Sequence, residues 1–331
     1  MFDEQSILVT GGAGSFGRDF VRNLLRRHAP RRVVVFSRDE FKQFEMRNEM
    51  GSRVLQFVLG DVRDRDRLVE AMRGIDLVVH AAALKQVLAA EQNPMECIKT
   101  NIHGAENVIS ASLANDVKRV VALSTDKAAS PVSLYGATKL AADRLFVAAN
   151  NIAGQHPTLF SVVRYGNVVG SRGSVLPLFR AQLAAGKDEL PITDLRMTRF
   201  WITSDEAVSF VSAAFQRMQG GEIFVPRLPS VRIEDLARSL DESVSLREIG
   251  IRPGEKLHEM MCPEADSHHT LEFADHFVIY PNTENSEREV DYTRNLLGEI
   301  GKPVDPGFEF CSNSNERFLT VEQLREINRQ S

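Results

Sequence analysis

A glycine-rich loop separates the first apolar run of this chain from its first helix-length segment. The loop spans Gly11 to Gly17 and follows Ile7-Leu8-Val9 directly. Glycines permit a tight turn, and they let backbone N–H groups approach a pyrophosphate at a helix N-terminus. The pattern is weak by itself, but its place between a strand and a helix predicts a dinucleotide site.

Apolar runs alternate with helix-length segments as far as residue 165. The predicted strands cover 7–9, 33–36, 54–59, 77–79, 119–123 and 160–163. The predicted helices cover 15–27, 40–50, 65–72, 97–114 and 134–149. Nearly continuous apolar strands that alternate with helices are typical of a parallel sheet covered on both faces. The sequence therefore predicts an α/β fold with a doubly wound Rossmann sheet.

The alternation stops after Tyr165. A second glycine-rich loop precedes a predicted helix near 175–185, and prolines and short elements follow it. We expect a dinucleotide-binding domain over 1–165 and a smaller, mainly substrate-binding lobe over 166–331. The pattern also allows the chain to cross back between the two lobes.

Composition excludes several classes of function. The net charge of -5 comes without a basic run, which argues against a nucleic-acid partner. Cys97, Cys262 and Cys311 are widely spaced and lack a Cys-x-x-Cys motif, which favours a reduced, cytoplasmic protein. No apolar run reaches about 18 residues, so we expect no membrane span. His268-His269 has no partner cluster, so we expect no metal.

The end of the second strand bears on the choice between NAD and NADP. An acid there accepts the ribose 2′-hydroxyl of NAD, whereas a nearby arginine accommodates the 2′-phosphate of NADP. Ser37 and Arg38 come first, and Lys42 follows one turn later. Asp39 favours NAD, although its position as a helix N-cap is a sufficient structural role. We therefore predict NADP.

The chemistry of the chain is concentrated between residues 125 and 139. Tyr135 and Lys139 lie one turn apart on a predicted helix, and Thr125 lies at a strand end. We expect a lysine ammonium near the phenol to lower the tyrosine pKa and suit it to proton transfer. Asp126 and Lys127 add an acid and a base, which indicates elimination of water after oxidation of a carbon. A loop cap and a solvated lysine are the structural alternatives.

Longer motifs extend over nearly the whole chain. They are 10–17, 37–40, 81–85, 96–101, 123–129, 163–175, 197–203 and 252–256. With these motifs the chain resembles the extended short-chain dehydrogenase/reductase family. Within it, the chain is most similar to the inverting UDP-N-acetylglucosamine 4,6-dehydratases of the pseudaminic acid pathway. One departure is Gln86, where a histidine is common in the family.

The resemblance implies a redox-neutral dehydration of UDP-N-acetylglucosamine. NADP⁺ takes the hydride from C4 of the hexose and returns it to C6, with Tyr135 as the base on the 4-hydroxyl. Lys127 removes the C5 proton, provided that its pKa is lowered, and Asp126 helps to protonate the leaving 6-hydroxyl. Reprotonation of C5 on the opposite face inverts that centre. Retaining dehydratases carry Asp-Glu instead of Asp-Lys, and a dimer-based homo-oligomer, up to a hexamer, is expected.

Candidate binding residues come from the motifs and the resemblance together. Those for the substrate are Lys85, Asn167, Val175, Thr193, Arg252 and Glu255. Arg252 fits the diphosphate, and Arg199 is a weaker candidate for it. Those for the cofactor, besides Tyr135 and Lys139, are Gly11, Gly14, Ser15, Phe16, Gly17, Arg18, Ser37, Arg38, Asp39, Lys42, Asp61, Val62, Ala82, Lys85, Thr100, Asn101, Val168, Val169, Gly170, Ser171 and Arg172.

The sequence leaves two other functions open. A UDP-hexosamine 4-epimerase of the same fold needs Tyr135 and Lys139 but leaves Asp126 and Lys127 unexplained. A non-catalytic NADP-binding protein would bind the cofactor without turnover, and the intact Thr125, Tyr135 and Lys139 argue against it.

Overall fold

A ten-stranded sheet organises the chain. The structure is a computed structural model that describes residues 1–154, 156–171, 173–282 and 290–330. Its strands are β1 (Ser6–Thr10), β2 (Arg32–Ser37), β3 (Leu55–Leu59), β4 (Leu77–His80), β5 (Arg119–Thr125), β6 (Leu159–Tyr165), β7 (Asn167–Val168), β8 (Glu189–Ile192), β9 (Thr198–Ile202), β10 (Ile223–Pro226), β11 (Ser230–Arg232), β12 (Ser245–Glu248), β13 (Met260–Cys262), β14 (Thr270–Glu272), β15 (His276–Ile279), β16 (Lys302–Pro303) and β17 (Phe310–Cys311).

Helices cover the sheet and connect its strands. They are α1 (Ser15–Arg27), α2 (Glu40–Met50), α3 (Arg65–Ala71), α4 (Val87–Gln92), α5 (Pro94–Ile98), α6 (Gly104–Ala114), α7 (Leu134–Ile152), α8 (Val175–Ala184), α9 (Ser204–Arg217), α10 (Ile233–Leu240) and α11 (Val321–Gln330). Short 3-10 helices cover Asp126–Ala128 and Glu264–His269, and a π-helical segment covers Lys99–His103. Within the described residues no helix is long and apolar enough to cross a membrane.

The order of the parallel strands sets the position of the site. The large sheet runs β16-β14-β15-β10-β6-β5-β4-β1-β2-β3, and its strands from β3 to β10 are parallel. The chain leaves β1 toward β2 on one side and later returns to β4 on the other. Ligands of such sheets bind beyond the carboxyl ends of the strands at this switch point. This confirms the predicted doubly wound fold.

Burial explains why these segments form strands in the middle of the sheet. All five residues of β1 are buried, as are all four of β4. Helices cover both faces of a parallel sheet, so both sets of alternating side chains are buried. Phe20 and Val21 of α1 are buried in the same core. The predicted bounds of α1 and α2 agree with the structure.

The second half of the chain contributes to both parts of the molecule. Strands β10, β14, β15 and β16 extend the large sheet, and β15 is antiparallel to β10. Helix α9 packs against α1. The remaining short strands form three small sheets, β11-β9-β7, β12-β8 and β13-β17. Chain beyond residue 165 therefore crosses back into the Rossmann sheet before it completes the smaller lobe.

The segment after β4 differs in detail from the prediction. The helix expected near 97–114 begins earlier, as α5, and it continues through the π-helical segment into α6. Helix α4 was not predicted, because its six residues carry too short a pattern for a helical period. The π-helical segment contains Thr100 and Asn101, and π-bulges are frequent at functional sites.

Candidate active site

A large cleft runs along the carboxyl edge of the parallel strands. Its volume is about 1260 Å³, which exceeds the roughly 300–1,000 Å³ of a pocket for one drug-sized ligand. The walls come from the glycine loop, the ends of β2 to β6, and the lobe after residue 165. The cleft is therefore large enough for a dinucleotide and a second ligand together.

The glycine loop forms a backbone cradle at one end of this cleft. Gly11 has φ +65°, and a Cβ there would lie 2.9 Å from the backbone of Ala82. Helix α1 begins directly after Gly14, and no described side chain caps it. The N–H groups of this first turn are thus available to a ligand phosphate. Gly11, Gly14, Ser15, Phe16 and Gly17 all line the cleft.

The residues expected to select between NAD and NADP lie together at the end of β2. Ser37, Arg38, Asp39 and Lys42 all line the cleft. Asp39 caps α2 by accepting the Lys42 backbone N–H at 3.0 Å, and its carboxylate also pairs with the Lys42 ammonium. Arg38 is half exposed, and its guanidinium lies 3.5 Å from the carboxylate of Asp61. The capping role expected for Asp39 is present.

Most of the other cofactor candidates reach the cleft, but two do not. Those that line it are Asp61, Val62, Ala82, Lys85, Thr100, Val168, Val169, Gly170 and Ser171. Arg18 instead pairs with Glu45 and Glu49, and so ties α1 to α2. Asn101 is buried and bonded to Leu84 and Thr138, so its amide supports the cleft wall from behind. Arg172 lies outside the described residues.

Tyr135 and Lys139 lie on the first turns of α7 and face the end of β5. Ser133 caps this helix by accepting the Gly136 N–H at 3.2 Å. Lys139 donates to the carbonyl of Leu123 at 2.7 Å, and burial lowers its pKa. Burial raises the pKa of Tyr135 to about 12, although the Lys127 charge acts in the opposite direction. The expected lowering of the tyrosine pKa is therefore wrong for the protein alone.

Asp126 and Lys127 form an ion pair inside the cleft. Lys127 Nζ lies 3.0 Å from Asp126 Oδ1, and the side chain of Asp126 is only 1% exposed. Thr125 also donates its hydroxyl proton to Asp126 Oδ1 at 3.0 Å. Burial raises the pKa of Asp126 because the charged form loses its hydration. A carboxyl with a raised pKa can both accept and donate a proton near neutral pH.

Lys127 has a second carboxylate partner, which the sequence did not indicate. Glu259 Oε1 lies 3.1 Å from Lys127 Nζ. Burial would lower the pKa of Lys127, but the charges of Asp126 and Glu259 outweigh it and raise that pKa above its ordinary value. The condition on which Lys127 was predicted to act as the base at C5 is therefore not met. Its ammonium form is the one that the structure stabilises.

The substrate candidates line the part of the cleft built by the smaller lobe. They are Lys85, Asn167, Val175, Thr193, Arg252 and Glu255. Asn167 Oδ1 is buried and has no hydrogen-bond partner among the described residues. The Arg252 guanidinium is 46% exposed and lies 3.9 Å from Glu255. An arginine placed in this way can turn to a ligand diphosphate without breaking a strong internal contact.

Three further residues complete this side of the cleft. Arg199 is largely buried, and its guanidinium donates to the carbonyls of Lys256 and Leu257. It also lies 3.8 Å from Glu259, so it holds the segment from Lys256 to Glu259 in place. Lys256 lines the cleft and donates to the carbonyl of Ala129. Gln86 lies against the second glycine loop, where a Cβ on Gly173 would meet its Nε2 at 2.5 Å. The Arg-Pro-Gly-Glu-Lys motif, which ends at Lys256, could have identified Lys256 in the sequence. No motif indicates Glu259.

Metal ligation is not indicated by the described part of the chain. No group of three or more histidine, cysteine, aspartate or glutamate residues there could hold a metal ion. His268 and His269 lie in a 3-10 helix. The polar groups in the cleft are instead suited to phosphates, hydroxyls and proton transfer.

Comparisons with known proteins agree with this geometry. Residues 7–281 match the family described as polysaccharide biosynthesis protein. The chain is 54% identical to the inverting UDP-N-acetylglucosamine 4,6-dehydratase of Campylobacter jejuni, over 99% of this chain and 98% of the relative. It is 39% identical to a protein of Rickettsia akari named UDP-glucose 4-epimerase, over 99% and 96% of the two chains.

Solved structures show the same architecture. Pen from Bacillus thuringiensis superposes with a TM-score of 0.89 and 36% identity, covering 100% of this chain and 99% of that one. DesIV, a dTDP-glucose 4,6-dehydratase from Streptomyces venezuelae solved with NAD and TYD, gives a TM-score of 0.67 at 26% identity, over 76% and 86% of the chains. The chain therefore belongs to the polysaccharide biosynthesis protein family of extended short-chain dehydrogenases/reductases.

Proposed function

We propose that the chain dehydrates UDP-N-acetylglucosamine and inverts C5, giving UDP-2-acetamido-2,6-dideoxy-β-L-arabino-hexos-4-ulose. This is the first step toward pseudaminic acid or a related nucleotide sugar. The ion pair of Lys127 with the buried Asp126, beside Tyr135, carries the proposal, since a simple oxidation at C4 needs neither member. The inverting dehydratase of Campylobacter jejuni, identical at 54% of positions, supports it.

The cofactor that fits this site is a nicotinamide dinucleotide, and we propose NADP. The Gly11 cradle and the uncapped start of α1 fit the pyrophosphate, and Arg38 and Lys42 line the same cleft with charges that would favour a 2′-phosphate. Asp39 is engaged in capping α2, which weakens the case for NAD. When bound, the oxidised cofactor would supply a hydride acceptor for C4 and then a hydride donor for C6, and its positive ring would favour the phenolate of Tyr135.

Tyr135 takes the proton of the 4-hydroxyl as C4 is oxidised. The resulting 4-ketone makes the C5 hydrogen acidic. Asp126 in its carboxylate form accepts that proton and gives it to the departing 6-hydroxyl, which leaves as water. The raised pKa of Asp126 suits a group that must do both.

Lys127 supplies the new proton at C5. Its ammonium breaks one N–H bond as the new C5–H bond forms, on the face opposite to the proton that was lost, and this inverts C5. The resulting amine recovers its charge from the Tyr135 phenol, which holds the proton of the 4-hydroxyl. Every proton removed from the sugar is thus returned to the product or to the released water.

Proton NMR of the purified protein with UDP-N-acetylglucosamine in deuterated water tests the proposal. We expect a C6 methyl signal, deuterium at C5 and an L-arabino product. A C6 methyl with a D-xylo product would overturn the inversion, and an unchanged substrate would overturn the proposed dehydration. Tyr135→Phe is the matched inactive control, because it removes only the phenolic oxygen.

A 4-epimerase is the second candidate, because the Rickettsia akari relative carries that name. An epimerase would give the galacto isomer without a C6 methyl in the same experiment. Asp126 and Lys127 would then be dispensable, so Lys127→Ala would keep full turnover. The dehydratase proposal predicts that this variant forms no inverted product.

Two further properties are proposals as well. We propose a dimer-based homo-oligomer, up to a hexamer, which light scattering of the purified protein measures directly. We also propose a cytoplasmic location, which the three free cysteines are compatible with. Cell fractionation of the native host checks it.

A further inference from the structure

Glu259 is a buried carboxylate that takes no part in the proposed proton transfers. It comes directly before β13 and is 1% exposed. Its Oε1 lies 3.1 Å from Lys127 Nζ, while Asp126 Oδ1 lies 3.0 Å from the same nitrogen. Asp126 follows β5 of the Rossmann sheet, so the ammonium lies between carboxylates from the two halves of the chain.

The smaller lobe fixes the position of Glu259 through its backbone. The Glu259 N–H donates to Ser312 Oγ at 2.9 Å, and the Ser312 N–H donates to the Glu259 carbonyl at 2.8 Å. Ser312 Oγ in turn lies 2.7 Å from Thr198 Oγ1 of β9. Glu259 is therefore held by two neighbouring segments and not by a flexible loop.

One oxygen of this carboxylate makes no hydrogen bond to a described residue. Glu259 Oε2 is buried and has no hydrogen-bond partner among the described residues, although the residue lines the cleft. A buried ionised oxygen without a hydrogen bond is costly, so nearby positive charge must compensate it, and Lys256 Nζ lies 3.9 Å away. Among the cations around the Glu259 carboxylate, the Lys127 ammonium lies nearest.

We propose that Glu259 is a positioning residue, which fixes the Lys127 ammonium against Asp126 and keeps it in the form that gives a proton to C5. This inference rests on the proposed dehydration for its consequence in turnover. Its structural part, the hold of Glu259 on Lys127, applies to the protein whatever reaction it performs.

The charges around Lys127 are consistent with this role. Asp126 and Glu259 favour its ammonium, and Arg199, which lies 3.8 Å from Glu259, acts against it. Lys256 lies 3.9 Å from Glu259 Oε2, and the Tyr135 phenol also faces Lys127 from α7. Burial would raise the pKa of Glu259, but Lys127, Arg199 and Lys256 outweigh it and lower that pKa, so Glu259 stays ionised.

The role also accounts for the order of proton transfers. If Asp126 were the only carboxylate beside Lys127, the proton between them could move to Asp126. The Lys127 amine would then have no proton to give to C5. The second carboxylate keeps the ammonium intact while Asp126 moves the C5 proton to the departing hydroxyl. Lys127 then gives up its proton only when the hydride has reached C6.

The test is an NMR titration of lysine side chains in the enzyme with bound dinucleotide. Lysines labelled with ¹³C at Cε and ¹⁵N at Nζ are followed from pH 7 to 12, and the Lys127 signal is identified by its loss in Lys127→Arg. We expect no titration of Lys127 in this range in the native protein. In Glu259→Gln we expect its pKa to fall by about 1 to 3 units, as for the loss of a charge within hydrogen-bond distance.

Two variants make the result specific. Glu259→Asp keeps the charge at a longer distance, and we expect an intermediate shift. Glu264→Gln removes an exposed carboxylate five positions further on, and we expect no shift. An unchanged Lys127 signal in a folded Glu259→Gln, or equal shifts in Glu259→Gln and Glu264→Gln, would overturn the hold of Glu259 on Lys127.

Turnover tests the consequence separately. We expect the kcat of Glu259→Gln for the inverted product to fall further below that of the native protein at pH 10 than at pH 7, where Lys127 keeps its proton in both. Glu259→Asp is expected to restore most of the activity at pH 10. A loss that is equal at both pH values would overturn the role in proton donation. If the native protein itself forms no methyl product, the proposed function fails, and the titration still decides the contact.

Discussion

Replacing Lys127 by methionine would expose the electrostatic cost of the buried site. The substitution leaves Asp126 and Glu259 buried at 1% exposure each and removes the ammonium that lies about 3 Å from both. Removing one partner of a buried ion pair costs about 3–5 kcal/mol. We take the lower value, about 3 kcal/mol, because Arg199 and Lys256 still lie within 4 Å of Glu259.

This cost depends on pH in a definite direction. Without the ammonium, burial raises the pKa of Asp126 further above its unfolded value of about 4, and the pKa of Glu259 rises from the lowered value that Lys127 helps to maintain. A group with a raised folded pKa stabilises the fold below the unfolded pKa, and that stability is lost as pH rises through the folded pKa. The destabilisation of Lys127→Met is therefore small near pH 4.5 and full at pH 8.

Thermal unfolding followed by circular dichroism at the two pH values measures the effect. An unfolding entropy of about 2.1 cal/mol/K per residue over 331 residues converts about 3 kcal/mol into a fall in Tm of about 4 °C at pH 8. Lys118→Met is the matched control, since its ammonium is 60% exposed, pairs with Asp76 and donates to Gln5 Oε1 at 3.4 Å. That pair is worth less than about 1 kcal/mol. Equal Tm values for Lys127→Met and the native protein at pH 8, or a pH-independent loss, would refute the reasoning.

The other predictions concern the cofactor and the first step of the reaction. In calorimetry, Arg38→Ala should weaken NADP⁺ binding about tenfold, which corresponds to about 1.4 kcal/mol. The same variant should bind NAD⁺ with an affinity within about twofold of that of the native protein. Equal losses of affinity for both dinucleotides would contradict the NADP assignment. Gly11→Ala should abolish dinucleotide binding, because its Cβ would lie 2.9 Å from the Ala82 backbone, whereas Gly51→Ala, with φ +52° and open space, should lose only stability. Tyr135→Phe should lower kcat by about 10²–10⁴-fold with unchanged cofactor affinity, and retained turnover would remove Tyr135 from its role as base.

Local patterns were sufficient for most of the fold. The strand and helix bounds around the glycine loop agree with the structure because short-range features define them: buried apolar runs, the turn at Gly11, and the N-cap at Asp39. The same holds for Tyr135 and Lys139, whose spacing places them one turn apart on any helix. Helix α4 was missed because six residues do not establish a period.

Side chains that point away from the cleft could not be identified in this way. Arg18 and Asn101 lie beside residues that do line it, but Glu45, Glu49 and Thr138 occupy their polar groups. A motif fixes which residue types are present near a site. It does not fix which of them face a ligand, since that depends on partners from other elements.

The sequence by itself determined the parallel sheet, the dinucleotide loop and the presence of an acid and a lysine ahead of the Tyr-x-x-x-Lys helix. Only the tertiary structure decided the charge of that lysine. A pKa depends on the burial of a group and on charges within a few ångströms of it, and for Lys127 one of those charges is Glu259, which the fold brings from the other half of the chain. Periodicity and spacing describe neighbours along the chain, whereas proton transfer depends on neighbours in space.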